Sequence, residues 1–445
     1  MTPQAGLRDH FASGATWPLE GRLEALRRLD AALTGHEDAL LQALHDDLGK
    51  PEFEAYSSEI LPVRQEIRHA IRHLPRWAAP RRVATSWFHW PARAALSMQP
   101  RGAVLVLSPW NYPVQLSLSP LVGALAAGNT VLLKPSEFAP ATAAALQAML
   151  EEALDPGLVQ VMQGDAALAA ALVAEHWDHI FFTGSGAVGR RVAEAAARTL
   201  TSCTLELGGC NPCVVDGSAD IGLAAKRIAW GKFLNAGQTC IAPNHVLVHE
   251  SRFEALVAAL KARLTEFYGA DGQGLQRLAH PAHFARVAAL LGQGEVLHGG
   301  AADAARLHIQ PTLLAASAPP EQEIFGPILP IIPWREGAAL LDGLAAAPAP
   351  LAVYAHSRDR ALLAALRQRT RSGAFVVNDH VVQATVADLP FGGVGPSGQG
   401  RSHGQAGFEA FSNPRAEFRQ SPRIDLPMRY PPYEGKLAWV KRLMG

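Results

Sequence analysis

The sequence predicts an α/β protein built on two doubly wound parallel sheets, with a smaller bridging element. Three observations carry that prediction. At 445 residues the chain is longer than one ordinary hydrophobic core fills, so it divides into two or three domains. From residue 102 onward, short apolar runs alternate with amphipathic helical stretches, the pattern of a parallel sheet covered by helices on both faces. The alternation pauses at Gly208-Gly209 and resumes near residue 211, which puts a joint at 207–212.

Taken in order, residues 19–77 read as helices. Leu23, Leu26, Leu29 and Leu33, then Leu40, Leu41, Leu44 and Leu48, recur at helical spacing, with stops at Gly35 and Gly49. Residues 83–99 carry Val83, Trp87, Phe88, Trp90 and Pro91 and read as an extended aromatic-rich hairpin, a composition that packs on a neighbouring subunit more often than it stands alone. The first unit is expected to place strands at 102–108, 130–133, 158–162 and 178–183, with helices at 115–127, 139–154, 165–176 and 187–199. The second is expected to place strands at 213–216, 245–249, 329–332, 351–355 and 374–378 and helices at 219–234 and 358–371. Ser251-Arg252-Phe253-Glu254 reads as a capping box opening a helix that runs to 267. Residues 269–310 are rich in glycine and alanine and give no clear period.

Composition excludes several classes. Lys plus Arg equals Asp plus Glu at 40 each, so net charge suggests no polyanion partner and no nucleic acid. No stretch approaches the ~20 apolar residues of a membrane helix. Four cysteines and an N-terminus without a signal-like apolar run point to a reducing, cytoplasmic setting. No spacing of His, Cys or carboxylates suggests a metal.

The stretch Gly237-Gln238-Thr239-Cys240-Ile241-Ala242-Pro243 sets one cysteine in an uncharged turn between a helix end and a strand. Cys240 is either a sulfur held at the mouth of a cleft or a buried thiol. Gly184-Ser185-Gly186-Ala187-Val188-Gly189 follows a strand and opens a helix, the glycine pattern of a dinucleotide pyrophosphate loop, although glycine-rich turns of this kind are common. That pattern would use Glu206, about twenty residues on, for a ribose hydroxyl. Glu206 also lies inside an apolar strand, where burial would suit it as a general base or a salt bridge would make it a core residue. Asn111, in Pro109-Trp110-Asn111-Tyr112-Pro113, ends the first strand and is either an oxyanion donor or an Asx turn. Lys134 and Glu137 end the next strand, suited to a phosphate and a ribose diol or paired with each other. Glu323-Ile324-Phe325-Gly326-Pro327 adds a second carboxylate beside a ring, or a turn before a strand.

Together these stretches resemble the aldehyde dehydrogenase superfamily, most closely its class 3 branch of fatty and aromatic aldehyde dehydrogenases. The resemblance runs through residues 109–137, 181–192, 205–212, 237–243, 323–330 and 389–398, and Arg429-Tyr430-Pro431-Pro432-Tyr433 is similar to the class 3 tail. It implies Cys240 as nucleophile, Asn111 with the Cys240 N–H as oxyanion hole, and Glu206 as base rather than ribose ligand. It further implies Lys134 and Glu137 at the adenine ribose; Gly184, Ser185 and Gly189 at the pyrophosphate; Glu323 at the nicotinamide ribose; and Phe325 and Trp110 near the coenzyme ring. The coenzyme implied is NAD, with NADP possible, and the assembly a homodimer. Residues 1–82 and 100–208 would form the coenzyme-binding domain, 209–388 the catalytic domain, and 83–99 with 389–445 the bridging element. Tyr112, Trp230, Phe233 and Phe411 are expected to line an apolar substrate pocket. An activated Cys240 would react with thiol reagents ahead of Cys203, Cys210 and Cys213. The chain departs from the family at Cys210, where Lys is usual after Leu-Gly-Gly, and at Asn244-His245, where Asp-Tyr is usual. Both changes raise the alternative of a non-catalytic relative that binds or scaffolds.

Overall fold

Apolar periodicity becomes layers here because each helical stripe finds a sheet or another helix to cover. The structure of the protein, a computed structural model, describes residues 3–86 and 89–444, so Trp87 and Phe88 of the expected hairpin lie outside the described residues. In chain order the strands begin with β1 (Arg81–Val83) and β2 (Arg93–Pro100). Five alternate with helices: β3 (Ala103–Leu107), β4 (Thr130–Lys134), β5 (Val159–Val161), β6 (His179–Gly184) and β7 (Ser202–Leu207). A second series follows: β8 (Pro212–Val215), β9 (His245–His249), β10 (Glu295–His298), β11 (Ala302–Asp303), β12 (His308–Ile309), β13 (Thr312–Ala315), β14 (Ile328–Trp334), β15 (Ala352–His356) and β16 (Ala374–Val377). The chain closes through β17 (Gly398–Gln399) and β18 (Ser412–Arg419).

One sheet has the order β17-β7-β6-β3-β4-β5, parallel except for β17. The other has the order β10-β13-β14-β9-β8-β15-β16, parallel except for β10. The first ends at Leu207 and the second begins at Pro212, inside the expected joint. Strands β3 and β4 are buried along their whole length, as continuous apolar runs in a parallel sheet require. The Leu23–Leu33 and Leu40–Leu48 stripes are buried in the first core, and Gly49 ends its helix in the left-handed conformation.

Four expectations change. The bridging element is a three-stranded antiparallel sheet, β1-β2-β18, in which β2 and β18 pair from Arg93↔Arg419 to Pro100↔Ser412. The segment after residue 389 does not belong wholly to it: Gly398 pairs with Glu206 on β7, and Phe408 and Phe411 enter the first core around the helix Gln115–Ala127. Ser251 is not a helix cap. Its hydroxyl meets His249 Nδ1 at 2.8 Å, and the helix Phe253–Tyr268 starts two residues later without a side-chain cap. Finally, the unpatterned region contributes β10 to the second sheet, the two-stranded β11-β12 ladder and a helix, Pro281–Ala288.

Candidate active site

The helix Ile221–Phe233 ends two residues before an abrupt reversal. Asn235 and Ala236 both adopt left-handed backbone angles (φ 54°) and Gly237 follows at φ 74°. Such angles cost a non-glycine residue about 1 kcal/mol or more each, so neighbours must hold them. The Asn235 amide donates to Asn111 O (2.8 Å) and Gln238 O (3.2 Å), and its backbone N–H donates to Glu54 (2.9 Å). At Gly237 a Cβ would fall 2.4 Å from Gly326 O, so only glycine fits. The reversal delivers Cys240, half-buried, to the wall of a groove of about 1400 Å³.

Asn211 clamps the nucleophile turn. Its amide donates to Cys240 O (2.8 Å) and Ala242 O (2.9 Å), and its side-chain oxygen accepts from Ala352 N (2.8 Å). Tyr354 adds a hydroxyl bond to Ile241 O (2.6 Å). Asn111 lines the same groove. One amide proton goes to Gln238 O (2.9 Å), and its backbone carbonyl receives Lys50 Nζ (3.0 Å) as well as Asn235. Lys50 is fully buried, paired with Glu59 and over the Tyr112 ring at 4.1 Å. Glu59 in turn accepts Val114 N (2.9 Å) and Gln115 N (3.0 Å).

Glu206 opens on the groove from β7. Ser402 Oγ donates to one carboxylate oxygen at 3.3 Å, and the other oxygen has no partner among the described residues. Burial pushes its pKa well above the carboxylate range, with Ser402 and the Arg401 charge pulling the other way. The Cys240 thiol is also pushed up, first by burial and then by the Glu323 and Glu206 charges, while its own N–H and that of Ile241 favour the thiolate. Cys203 and Cys210 rise only to about 11. The resting sulfur therefore favours its protonated form, first because it is buried and then because Glu323 and Glu206 face it, which runs against early labelling of a pre-ionised Cys240.

The groove fits a dinucleotide. Ser185 caps the helix Gly186–Ala197, its oxygen accepting Val188 N, and the first-turn residues Gly186 and Ala187 border the groove as an anion site. Glu323 lies across Gly208, where a Cβ would meet its oxygen at 2.0 Å, and Gly209 N–H bonds the same carboxylate. Burial raises Glu323 to about 7. Trp110 and Phe325 line the wall, ring centroids 5.5 Å apart. Phe325 sits at φ 50°, its carbonyl held by His283 at 2.8 Å, and Arg286 donates to Glu323 O (3.1 Å) and Ile324 O (2.6 Å).

Other expected residues lie off the groove surface. Lys134 and Glu137 pair at 2.8 Å at the end of β4, with Lys134 almost wholly buried. Gly189 packs its helix on β7, since a Cβ would meet Leu207 at 2.6 Å. Of the pocket residues, Phe411 is a core residue stacked on Phe181 (5.6 Å), and Phe233 is in the second core near Tyr268 (6.1 Å). Aromatic character alone does not say which face of a layer a ring takes. Tyr112 is buried with its hydroxyl 2.7 Å from Thr239 Oγ1, beside the nucleophile, and Trp230 is 39% exposed on its helix. Of the departures, Asn244 accepts Ile324 N (2.8 Å) and so steadies the Glu323 loop; His245 lines the groove, neutral, its pKa lowered to about 4 by burial and Lys232.

Comparison with known proteins decides the family, because the model of the aldehyde dehydrogenase family matches residues 6–416. The chain belongs to the aldehyde dehydrogenase family. It is 42% identical over 417 residues to the 4,4'-diapolycopene-4,4'-dial dehydrogenase of Cytobacillus firmus, covering 92% of each chain. It is 39% identical to the dimeric, NADP-preferring aldehyde dehydrogenase of Canis lupus familiaris, over 97% of this chain and 97% of that one. Among solved structures, the substrate-bound state of Staphylococcus aureus AldH superposes with a TM-score of 0.97 at 36% identity, covering 100% of this chain and 99% of that one. As a member, the chain is an NAD(P)-dependent oxidoreductase acting on aldehydes.

Proposed function

We propose that the protein oxidises apolar aldehydes, aromatic or medium-to-long aliphatic, to carboxylic acids through a thioester on Cys240. The observation that carries this reading is one groove bordered at once by Cys240, Glu206 and Asn111. Glu206 takes the thiol proton as sulfur attacks the carbonyl carbon, which is how a sulfur with a raised pKa becomes a nucleophile. The remaining Asn111 amide proton and the Cys240 N–H stabilise the thiohemiacetal oxyanion; losing one such donor typically costs about 3–4 kcal/mol. When bound, the coenzyme supplies the hydride acceptor. Glu206 then passes that proton to solvent and, turned toward the thioester, deprotonates the hydrolytic water, with the Ser402 hydroxyl bonded to it and the Arg401 charge nearby.

Glu323, Phe325 and Trp110 are assigned to the nicotinamide half of the groove, and Gly184 and Ser185 to the pyrophosphate. Lys134 and Glu137 are assigned to the adenine ribose and Gly189 to the close helix–strand packing beneath. Glu137 favours NAD by repelling a 2′-phosphate, and Lys134 beside it offsets that and leaves room for NADP, the coenzyme preference named for the canine relative. Residues 1–82 and 100–208, with the return of 398–411, form the coenzyme-binding domain in this reading, and 209–388 the catalytic domain. The apolar substrate class is supported by the diapolycopene-dial in the bacterial relative's name. A homodimer is supported by the canine relative's name and by exposed Trp90 and Phe418 on the bridging sheet region. The compartment proposed is the cytoplasm; no helix among the described residues is long and apolar enough to cross a membrane. An aldehyde panel with NAD and NADP in parallel tests the whole. Reduced coenzyme should accumulate fastest with long or aromatic aldehydes, and no turnover with any aldehyde and either coenzyme refutes it.

A further inference from the structure

We propose that Cys213, His356 and His380 form a binding site for one zinc ion inside the second sheet, apart from the catalytic groove. The three side chains come from neighbouring strand positions. Cys213 lies on β8, His356 ends the adjacent parallel β15, and His380 follows β16 on its other side. All three are at most 2% exposed. Cys213 Sγ is 3.8 Å from His380 Nε2, the two imidazoles face each other Nε2 to Nε2 at 2.9 Å, and all three donor atoms lie within 4.8 Å of one another.

A tetrahedral zinc ion sits about 2.0 Å from imidazole nitrogen and about 2.3 Å from thiolate sulfur. Those lengths set N···N near about 3.3 Å and N···S near about 3.6 Å. The His356–His380 and Cys213–His380 spacings are within a few tenths of an ångström of these, and Cys213 and His356 lie within 4.8 Å of each other. One thiol and two imidazoles is also the donor set that this borderline-soft cation prefers, and it leaves a fourth position for water. The alternative is a hydrogen-bonded core pair, and it is incomplete: in either tautomer His380 leaves a buried Nδ1 without a partner among the described residues. Arg227 and Asp379 are the charged groups facing the pair, and they lie 3.9 Å from each other, so the cation meets a nearly neutral surround. His380 sits on a loop whose next residue, Val381, has φ 66°, and this loop rather than a strand must give when the imidazoles part. The His380 ring packs on Tyr354 at 4.4 Å, and Tyr354 holds Ile241 O beside the nucleophile.

Binding balances simply. The Cys213 thiol gives up its proton to solvent as the S–Zn bond forms. The proton shared between the imidazoles moves to an Nδ1, freeing both Nε2 lone pairs, so one proton leaves per ion.

The test uses full-length protein carrying Cys240→Ser, so that the nucleophile cannot ligate. Titration with Co²⁺ should saturate at one ion per chain, with a near-ultraviolet thiolate-to-cobalt band, tetrahedral visible bands, one proton released, and full displacement by Zn²⁺. Adding Cys213→Ser should abolish the thiolate band and weaken binding at least ~10-fold. His356→Gln, which keeps a polar partner for His380, should weaken binding similarly and serves as the deciding variant if Cys213→Ser does not fold. Absence of stoichiometric binding overturns the proposal. So does a thiolate band that survives Cys213→Ser, or affinity unchanged by His356→Gln.

Discussion

Replacing Lys50 by methionine separates the positioning of Asn111 from everything else in the site. Lys50 is fully buried, pairs with the equally buried Glu59 and donates to the Asn111 carbonyl at 3.0 Å. Removing one partner of a buried ion pair strands the other, a loss of about 3–5 kcal/mol in stability. Glu59 keeps two backbone N–H donors, Val114 and Gln115, which puts the expected loss near the lower end. Asn111 O retains the Asn235 amide at 2.8 Å but loses its charged donor, worth about 1.5–3 kcal/mol. If about half of that appears as looser placement of the oxyanion donor, kcat falls about tenfold, since about 1.4 kcal/mol is a decade in rate. The ceiling is the ~10²–10³ typical of deleting such a donor outright. Lys50→Met/Glu59→Gln supplies the control, because a glutamine carbonyl still accepts both N–H groups without a stranded charge. Urea melts should show most of the stability recovered in the double variant. Steady-state kinetics should show kcat still down about tenfold, with the coenzyme KM unchanged because Lys50 does not border the groove. A kcat within twofold of the parent in both variants would refute the reasoning.

Three further outcomes follow from the same geometry. Glu206→Gln removes the base for both steps, so rapid-mix kinetics should show a slowed release of no more than one equivalent of reduced coenzyme and then a stall; it should also lower the pKa of Cys240 alkylation, since a negative neighbour is removed, and steady turnover or an unmoved labelling profile would contradict its role. Gly208→Ala places a Cβ 2.0 Å from Glu323, so the carboxylate must swing off the Gly209 N–H, and coenzyme affinity measured by fluorescence should weaken ~10-fold or more while the melting temperature moves little. Glu66 is raised by burial from 4.5 to about 7 although it accepts Gly404 N at 2.7 Å. A carboxyl whose folded pKa exceeds its unfolded one is stabilising while protonated, so stability is fully present below pH 4.5 and is lost as pH rises through about 7. Glu66→Gln should therefore stabilise the protein by up to about 3 kcal/mol near pH 9 and by nothing near pH 4, and equal melts at both would refute the assignment.

The alternation of β3 to β7 with their helices was legible because burial on both faces forces continuous apolar runs, and glycine stops such as Gly49 and Gly128 mark where helices must turn left-handed. Cys240, Glu206 and Asn111 stood out because each is a reactive or polar residue at a strand or helix end. Their supports did not stand out. Lys50 and Glu59 lie on helices that otherwise read as packing, and nothing local distinguishes a lysine aimed at a distant carbonyl from a solvated one. Asn211 and Asn235 look like ordinary turn residues until the strands bring them against Cys240 and Asn111. β13 was hidden because four residues after Pro311 are too few to show a period. Phe411 was misplaced for the converse reason: hydrophobicity predicts that a ring is covered, not what covers it.

Strand β17 pairs Gly398 with Glu206, nearly two hundred residues earlier in the chain. During synthesis, therefore, the edge of β7 stays uncovered until residue 398 has left the ribosome, long after β7 itself. The pairing is among the most non-local in the molecule, and such closures are slow and late. A nascent or prematurely terminated chain would carry the sulfur but not the finished cradle for its base. Aldehyde capture and water activation would thus become competent together, only once β17 is in place, sparing the cell a half-built protein that traps reactive carbonyls and never lets them go.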